Sequence, residues 1–269
     1  AEVRKGTTLF GTTVASAYTP LGLAEFVGLG GTPNITLAVF SGTSTGSIYA
    51  STTVASVYSW RTSGTTNLSN TKKNRFAILG GSAFITNDTD GMKDSSNGTA
   101  WVTTNSIASA AVKPSLVYRY KGRLLCAGDP TYPSKVWFSS VIDSVASPFI
   151  TWSVNPTTGN WIDINPDDGG QVTGFSETST FVLVFKGNGI YRLNTVSKTV
   201  DPQNIFNIGA VSQEAITLCQ GLTYFFSGQD IRVTDGTFPQ QISRAGVQDI
   251  IDAISQANWA NVALGNDGW

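Results

Sequence analysis

The chain has 269 residues, of which 17 are basic and 18 acidic, so its formal net charge at pH 7 is −1. Charged residues make up 13% of the sequence, about half of the roughly 25% that is usual in globular proteins, and this balance argues against a protein whose main task is to neutralise phosphates. The sequence has no histidine, which excludes Ser-His-Asp triads, Cys-His pairs and histidine-ligated zinc sites.

Short β-strands dominate the sequence. Runs of Val, Ile, Thr, Phe and Tyr are bounded by Gly, Asn, Asp, Ser or Pro, which is the pattern of strands and turns. In chain order, the clearest strands lie at Ile35–Phe40, Phe76–Leu79, Leu116–Tyr120, Phe181–Phe185 and Leu222–Phe226. Near the C-terminus, the apolar residues between Val247 and Ile254 follow the spacing of one helical face, so we expect one short helix there, with Ser243 as its N-cap.

Tight turns between pairs of apolar strands recur along the chain. They fall near Gly30-Gly31, Gly80-Gly81, Lys121-Gly122, Thr178–Thr180 and Gln220-Gly221. Repeats of roughly 40 to 50 residues with several strands each are typical of β-propeller blades. A four-stranded sheet with two apolar faces cannot cover both by itself, whereas neighbours packed face to face around an axis cover both. We therefore predict an all-β fold, a β-propeller of about five or more visible blades, with a large β-sandwich as the alternative.

We assign residues 1–269 to a single β-propeller domain. The chain begins without Met and ends at Asn266-Asp267-Gly268-Trp269, so the domain could be an incomplete part of a longer chain. No apolar run reaches the roughly 18 residues that a membrane-spanning helix needs, so no membrane span is expected. Cys126 and Cys219 lie far apart in apolar runs, which favours two buried free thiols and leaves a disulfide open.

The richest group of polar residues begins at Asp163. Asp163, Asn165 and Asp167 have the one-three-five spacing of a calcium-binding loop. The match then fails, because Asp168 stands where such a loop needs Gly, and Gly174 stands in place of the terminal Glu. We therefore favour an Asp/Gly turn between two strands, keep the first three residues as candidate metal ligands, and assign no cofactor and no catalytic residue.

Other charged motifs are interpreted as turns and solvated faces. Asp88 and Asp90 form a second acidic turn. Basic residues cluster at 72–75 and 119–123, where we expect solvent exposure or ion pairs with the acidic turns. The segment Lys186–Gly189 lacks the strand-to-helix context of a phosphate loop, so we expect a hairpin turn there.

A glycoside hydrolase would need only two carboxyl groups and no histidine. The segment Ser95-Ser-Asn97-Gly98-Thr-Ala-Trp101 resembles once the repeated Ser-x-Asp-x-Gly-x-Thr-Trp turn of propeller sialidases, with Asn in place of Asp. The three-arginine cluster of that family cannot be assigned here. A carbohydrate-binding or glycosidase-like propeller module acting in host receptor recognition is therefore the alternative function.

The middle and C-terminal parts of the chain carry an ordered series of motifs. These are Tyr118–Leu125, Val136–Ser140, Trp161–Gly169, Val172–Gly174, Phe181–Lys186, Gly189–Arg192, Ile208–Ser212 and Tyr224–Ser227, with Asp235-Gly236 and Ile242-Ser243 ahead of the predicted helix. This succession resembles the propeller-bearing nozzle or hub (tail tubular) proteins of short-tailed bacteriophages. Residues 75–101 fit an earlier blade more loosely, and residues 1–70 add only a general strand pattern.

The resemblance implies a structural protein of the virion, located in the phage tail and without catalytic activity. It implies that copies of the chain assemble into an oligomeric ring that forms part of the DNA-ejection conduit. The partners it implies are neighbouring tail or connector proteins, and genome DNA that passes non-specifically through a channel. Low charge and abundant Thr, Ser and Gly suit such an inert part.

Overall fold

The computed structural model describes residues 18–26, 35–54, 57–62, 67–98, 100–103, 112–141, 161–195, 199–200 and 207–265. The strands of these segments form five antiparallel sheets of four strands each, and in every sheet the neighbouring strands follow one another in the chain. Each sheet is therefore a simple meander. The all-β class predicted from the sequence is confirmed.

The first two sheets lie in the N-terminal half of the chain. The strands of sheet 1 are β1 (Pro20–Phe26), β2 (Ile35–Ser41), β3 (Gly46–Val54) and β4 (Val57–Thr62). Those of sheet 2 are β5 (Arg75–Leu79), β6 (Ser82–Thr86), β7 (Lys93–Ser95) and β8 (Val102–Thr103).

Three further sheets follow in the same order. The strands of sheet 3 are β9 (Leu116–Tyr120), β10 (Arg123–Ala127), β11 (Lys135–Phe138) and β12 (Trp161–Asp163). Those of sheet 4 are β13 (Val172–Glu177), β14 (Val182–Lys186), β15 (Gly189–Asn194) and β16 (Thr199–Val200). Those of sheet 5 are β17 (Ile216–Cys219), β18 (Leu222–Phe226), β19 (Ile231–Thr234) and β20 (Gln240–Gln241).

The predicted turns are the first hairpins of the sheets. Gly80-Gly81, Lys121-Gly122 and Gln220-Gly221 are two-residue loops in which both residues have positive φ. Such loops match the right-handed twist of the strands they join, and Gly adopts this conformation without steric cost. Thr178–Thr180 lies in the first hairpin of sheet 4. There the Thr178 amide donates a hydrogen bond to the Phe181 carbonyl oxygen at 2.9 Å. The turn predicted at Gly30-Gly31 lies outside the described residues.

Residue contacts divide the chain into two compact units, with one boundary inside β10 and another just after β11. Sheets 1 and 2 and strand β9 belong to unit 1, and β11, β12 and sheets 4 and 5 belong to unit 2. The single-domain assignment over 1–269 stays a prediction.

In unit 1, the apolar faces of sheets 1 and 2 meet in two clusters. One cluster contains Phe26, Leu37, Ala50 and Ala83, and the other contains Val39, Ile48, Leu68 and Ile85. Phe76 and Trp101 pack against both clusters. Each fully buried aliphatic or aromatic side chain contributes about 1.5–3 kcal/mol to folding, so these faces hold the two sheets together.

In unit 2, sheets 4 and 5 pack in the same way. Leu183, Phe185 and Ile190 of sheet 4 meet Ile216 and Phe225 of sheet 5, and the Phe185 and Phe225 ring centroids are 5.2 Å apart. Every residue of β14 is buried, which shows that both faces of this central strand are covered.

The outer edges of β13 and β1 form hydrogen bonds with the segments that lead into the next sheets. The side-chain amide of Gln213 accepts a hydrogen bond from the Phe175 amide at 2.7 Å and donates one to the Phe175 carbonyl at 3.0 Å. On β1, the Leu21 carbonyl accepts a hydrogen bond from the Asn74 amide at 2.7 Å. Unpaired edge groups invite pairing with other chains, and these contacts satisfy them internally.

The predicted C-terminal helix is present but shorter than its apolar spacing suggested. Helix α1 comprises Gln248–Asp252, and of its apolar residues only Ile251 is buried, among Ala215 and Phe226. The prediction of Ser243 as N-cap is wrong, since the cap position is Val247, which makes no side-chain cap bond. Among the described residues, no helix is long and apolar enough to cross a membrane.

Gly209 lies in the segment that leads into sheet 5 and approaches the backbone of the β14–β15 hairpin of sheet 4. It provides a test of how closely this segment packs against the hairpin. A Cβ at this position would overlap the backbone carbonyl oxygen of Lys186 and lie 2.7 Å from that of Gly189. We expect Gly209→Ala to lower the free energy of unfolding by at least about 2 kcal/mol, because backbone atoms cannot move aside without distorting the hairpin. Urea unfolding followed by tryptophan fluorescence measures this change.

The matched control is Gly246→Ala. No atom lies within 4 Å of a Cβ there, so we expect a change of less than about 0.5 kcal/mol. Equal effects of the two substitutions would contradict the close approach at Gly209.

Candidate functional site

The most extensive buried polar group of unit 2 surrounds the ammonium group of Lys186, whose side chain has no exposed surface. Its Nζ donates hydrogen bonds to Asp168 Oδ1 at 2.5 Å, to the Asn165 carbonyl oxygen at 2.9 Å and to Ser134 Oγ at 3.1 Å. The Tyr191 hydroxyl donates to Asp168 Oδ2 at 3.0 Å and accepts from Asn165 Nδ2 at 3.0 Å. We call Ser134, Asn165, Asp168, Lys186 and Tyr191 the Lys186 cluster.

The cluster joins sheet 4 to the loops of sheet 3. Lys186 ends β14 and Tyr191 lies on β15, whereas Ser134 immediately precedes β11. Asn165 and Asp168 lie in and beside the 3-10 turn that follows β12. The cluster therefore connects chain segments that are distant in sequence.

Local backbone chemistry shapes the 3-10 turn. Asn165 has a φ of 39°, in the left-handed region that Asn tolerates better than most residues. Pro166 fixes the first position of the turn, and Gly169 ends it with a φ of 66°. The Gly170 amide then donates to Asp168 Oδ1 at 2.8 Å, which orients the carboxylate toward Lys186.

The electrostatics of the cluster favour a charged carboxylate. Burial by itself raises the pKa of Asp168, but hydrogen bonds from Lys186, the Gly170 amide and Tyr191 outweigh it and lower the pKa below its ordinary value. The pKa of Tyr191 is raised, first by burial and then by its bond to Asp168, so the phenol stays protonated as a donor.

The arrangement is suited to holding sheets together rather than to binding a substrate. An ammonium group has three donors, and all three of Lys186 are used inside the cluster. No donor is left for a ligand, and the side chain has no exposed surface through which a ligand could reach it.

The three candidate metal ligands lie in different local settings. Asp163 ends β12 opposite Lys135, and Asp167 is exposed in the 3-10 turn. Asn165 accepts a hydrogen bond from Lys186 with its backbone carbonyl oxygen and donates one from its side-chain Nδ2 to the Tyr191 hydroxyl. Within the described segments, no group of three or more His, Cys, Asp or Glu residues could hold a metal ion, and cation binding stays a prediction.

The second acidic turn is more ordered than the solvated loop that the sequence suggested. Buried Asn87 donates to Asn74 Oδ1 at 2.9 Å and to Asp90 Oδ2 at 2.8 Å. Asp88 forms an ion pair with Lys72 at 2.9 Å, as expected for the basic cluster at 72–75. The turn therefore supports the fold of sheet 2.

The sialidase-like motif forms a packed turn between β7 and β8. The Ser95 hydroxyl donates to Asn97 Oδ1 at 3.1 Å, and this oxygen also accepts from the Ala100 amide at 2.9 Å. Trp101 packs against the core between sheets 1 and 2. The motif thus has a structural use here.

Both cysteines are free thiols. Cys126 is buried in β10, and burial raises the pKa of its thiol far above the ordinary value. Cys219 is only half-buried, so the prediction of two buried thiols is confirmed for Cys126 alone.

Sequence reasoning did not identify Lys186 and Asp168 as partners. The sequence predicts a hairpin turn at Lys186–Gly189, which the pairing of β14 with β15 confirms. In the sequence, Asp168 stands out only as a residue that breaks the calcium-loop pattern. The available signal was a lysine directly after a fully apolar strand, because a buried lysine requires an acidic partner. Its partner, Asp168, lies 18 residues earlier in the loop that connects sheet 3 to sheet 4. No local sequence pattern reveals a pairing over that separation.

Comparisons with known proteins leave the family open. No family model matches the sequence, and no curated protein matches it. A structure titled "AfRom2 CNH domain" aligns with 81% of this chain and 62% of its own, at 13% identity and a TM-score of 0.43. The extracellular domain of the putative one component system BT4673 from B. thetaiotaomicron aligns with 77% of this chain and 26% of its own, at 11% identity and a TM-score of 0.48. The chain spans less than two thirds of either structure.

The Lys186 cluster predicts a large cost for removing its cation. Lys186→Met leaves the largely buried Asp168 carboxylate, whose side chain is 11% exposed, without its cation, and we expect a loss of about 2–4 kcal/mol in unfolding free energy. The matched control is Lys72→Met, in a pair whose side chains are 45% and 29% exposed, where we expect about 0–1 kcal/mol. Urea unfolding measures both, and similar losses would show that the buried pair has no special role.

The cluster also predicts a pH dependence of stability. Because the pKa of Asp168 is lower in the folded than in the unfolded chain, its stabilisation is complete above the unfolded value of about 3.9 and is lost as the pH falls through the folded value. We expect the stability difference between the wild type and Asp168→Asn to shrink below about pH 4. Unfolding at a series of pH values measures it, and a constant difference would contradict the ion pair.

Proposed function

We propose that this chain is a structural virion protein of a bacteriophage tail, of the nozzle or hub type. In this proposal its five sheets are blades of a β-propeller, and copies of the chain assemble into a ring that forms part of the DNA-ejection conduit. The protein carries out no reaction. Its partners are other copies of itself, neighbouring tail or connector proteins, and DNA that passes without sequence-specific contacts.

The contact between first strands is the observation that carries the propeller part of the proposal. In unit 1, β1 packs beside β5, and β5 packs beside β9. In unit 2, β13 packs beside β17. In a propeller the first strand of each blade lies nearest the axis, so the first strands of neighbouring blades meet in this way.

The location of the resembling motifs supports a structural role. Trp161–Gly169 provides the turn of the Lys186 cluster, and Phe181–Lys186 overlaps the buried strand β14. Ile208–Ser212 includes Ala210, which lies in the core between sheets 4 and 5 and accepts a hydrogen bond from Thr173 at 2.7 Å. The likeness to tail proteins therefore falls on residues that join one sheet to the next.

One observation favours the alternative, a carbohydrate-binding module. Tyr132 is 40% exposed and Trp161 half-buried, and Lys135 lies between them, 4.8 Å and 3.9 Å from their ring centroids. Surface aromatic rings can stack on sugars, but the Lys135 ammonium already occupies one face of Trp161. The tail role is therefore preferred.

The oligomeric state of the purified chain tests the proposal. We expect sedimentation velocity and negative-stain electron microscopy to show closed rings containing an integer number of copies, with a central opening. A chain that stays monomeric at all concentrations would contradict the ring. Specific binding on a glycan array, lost in Trp161→Ala, would favour the carbohydrate module instead.

A further inference from the structure

The face of sheet 5 that points away from sheet 4 is covered by the segment that follows sheet 5. Phe225 and Phe226 are consecutive residues of β18, so their side chains point to opposite faces of the sheet. Phe225 lies in the core shared with sheet 4, whereas Phe226 lies in a separate apolar cluster. The following segment, residues 248–265, contributes three side chains to this second cluster: Ile251, Trp259 and Val262. We call residues 248–265 the C-terminal strap.

The C-terminal strap supplies the aromatic contact that a neighbouring sheet supplies on the other face. Toward sheet 4, the Phe225 ring meets Phe185 with ring centroids 5.2 Å apart. On the opposite face, the Phe226 ring meets Trp259 edge to face, with centroids 6.3 Å apart. Such ring pairs stabilise packing beyond their buried area. The strap therefore occupies the place of a further sheet on sheet 5.

The C-terminal strap also supplies a backbone hydrogen bond beside the first strand of sheet 5. The Leu264 amide donates to the carbonyl oxygen of Glu214, which immediately precedes Ala215 and β17, at 2.8 Å. At the edge of sheet 1, the Asn74 amide makes a comparable bond with the Leu21 carbonyl. The segment after sheet 5 thus follows the course of a segment that leads into another sheet.

The position of Trp259 depends on a glycine. A Cβ at Gly228 would lie 2.7 Å from an indole carbon of Trp259, which is closer than such atoms approach in proteins. Gly228 has a φ of 97°, and Gly adopts this region without the steric cost of a side chain. The turn after β18 therefore leaves room for the indole ring only because residue 228 has no side chain.

Few contacts hold the C-terminal strap on the sheet. Its elements are a helix of five residues and a 3-10 segment of six, which are too short to be stable alone. The backbone bonds of Ile254, Asn258 and Val262 stay within the strap, and Ile251 is its one buried residue. Trp259 Nε1 is buried without a hydrogen-bond partner among the described residues, which costs free energy that solvation of the released indole would recover.

We propose that the C-terminal strap is a displaceable cover, which opens as a unit while sheet 5 stays folded. Sheet 5 itself is held by its strand ladder and by the core shared with sheet 4, whereas the strap is held by a few side chains. In the closed state, no further sheet can pack on the face around Phe226. In the open state, that apolar face becomes available for the kind of sheet-to-sheet contact that joins sheets 4 and 5. This inference does not depend on the proposed tail role.

Native-state hydrogen exchange of the wild type tests the independent opening. We expect the amides of Ile254, Asn258, Val262 and Leu264 to open at least about 100-fold more readily than the amides of β18. Their opening should also respond weakly to low urea concentrations, because opening the strap exposes little surface. Equal protection of the strap and β18, with the same urea dependence, would overturn the proposal.

Substitution of Gly228 tests whether Trp259 holds the cover closed. We expect G228A to increase strap opening at least about tenfold, because the new Cβ displaces the indole ring. The matched control is G221A in the same sheet, where φ is 79° and no atom lies within 4 Å of a Cβ. It imposes similar backbone strain, so strap opening should stay within about twofold of the wild type. Equal strap opening in the two variants would contradict the role of Trp259.

Removal of the indole tests what lies beneath the cover. We expect W259A to increase strap opening and to raise the fluorescence of the apolar dye ANS at least about threefold, because the face around Phe226 is uncovered. The matched control is F238A, which removes a ring that is 58% exposed and should change neither reading. Unchanged dye binding in W259A would overturn the proposal. So would a loss of β18 protection together with that of the strap, because the strap would then be part of the sheet's cooperative core.

Discussion

The structure depends on one constraint, that a four-stranded sheet cannot cover its own apolar faces and must pack against a neighbour. The central strand β14 is buried at every residue, so sheet 4 is covered on both sides. The first strands of neighbouring sheets pack beside each other in both units. The outer edges of β1 and β13 also bond to the segment that leads into the next sheet. The burial of apolar surface and the hydrogen bonding of backbone groups at strand edges therefore favour the same packing of neighbouring sheets.

Polar residues at the sheet ends make this stacking specific. Apolar faces attract one another without directionality, whereas the Lys186 cluster satisfies every donor of the ammonium group with directional hydrogen bonds. The buried pair of Lys186 and Asp168 thus fixes how the loops of sheet 3 meet sheet 4. The donors of Lys186 are all used inside the fold and are therefore not available to a ligand.

The segment after sheet 5 is anchored and exposed at the same time. Ile251 of α1 packs against Ala215 and Phe226, whereas the neighbouring Ile250 is exposed. Exposed apolar surface of this kind suits a protein that assembles, as the proposed tail role requires.

Local sequence patterns determined the all-β class of the fold and the positions of several strands and hairpin turns. Alternation and turn residues were sufficient for strands such as Leu116–Tyr120 and for hairpins such as Gln220-Gly221, because strand and turn preferences act over a few neighbouring residues. The tertiary structure alone decided that Asp168 pairs with Lys186, that Asn165 turns toward Tyr191, and that α1 buries only one of its isoleucines. These outcomes depend on contacts between segments far apart in sequence, which no periodicity encodes.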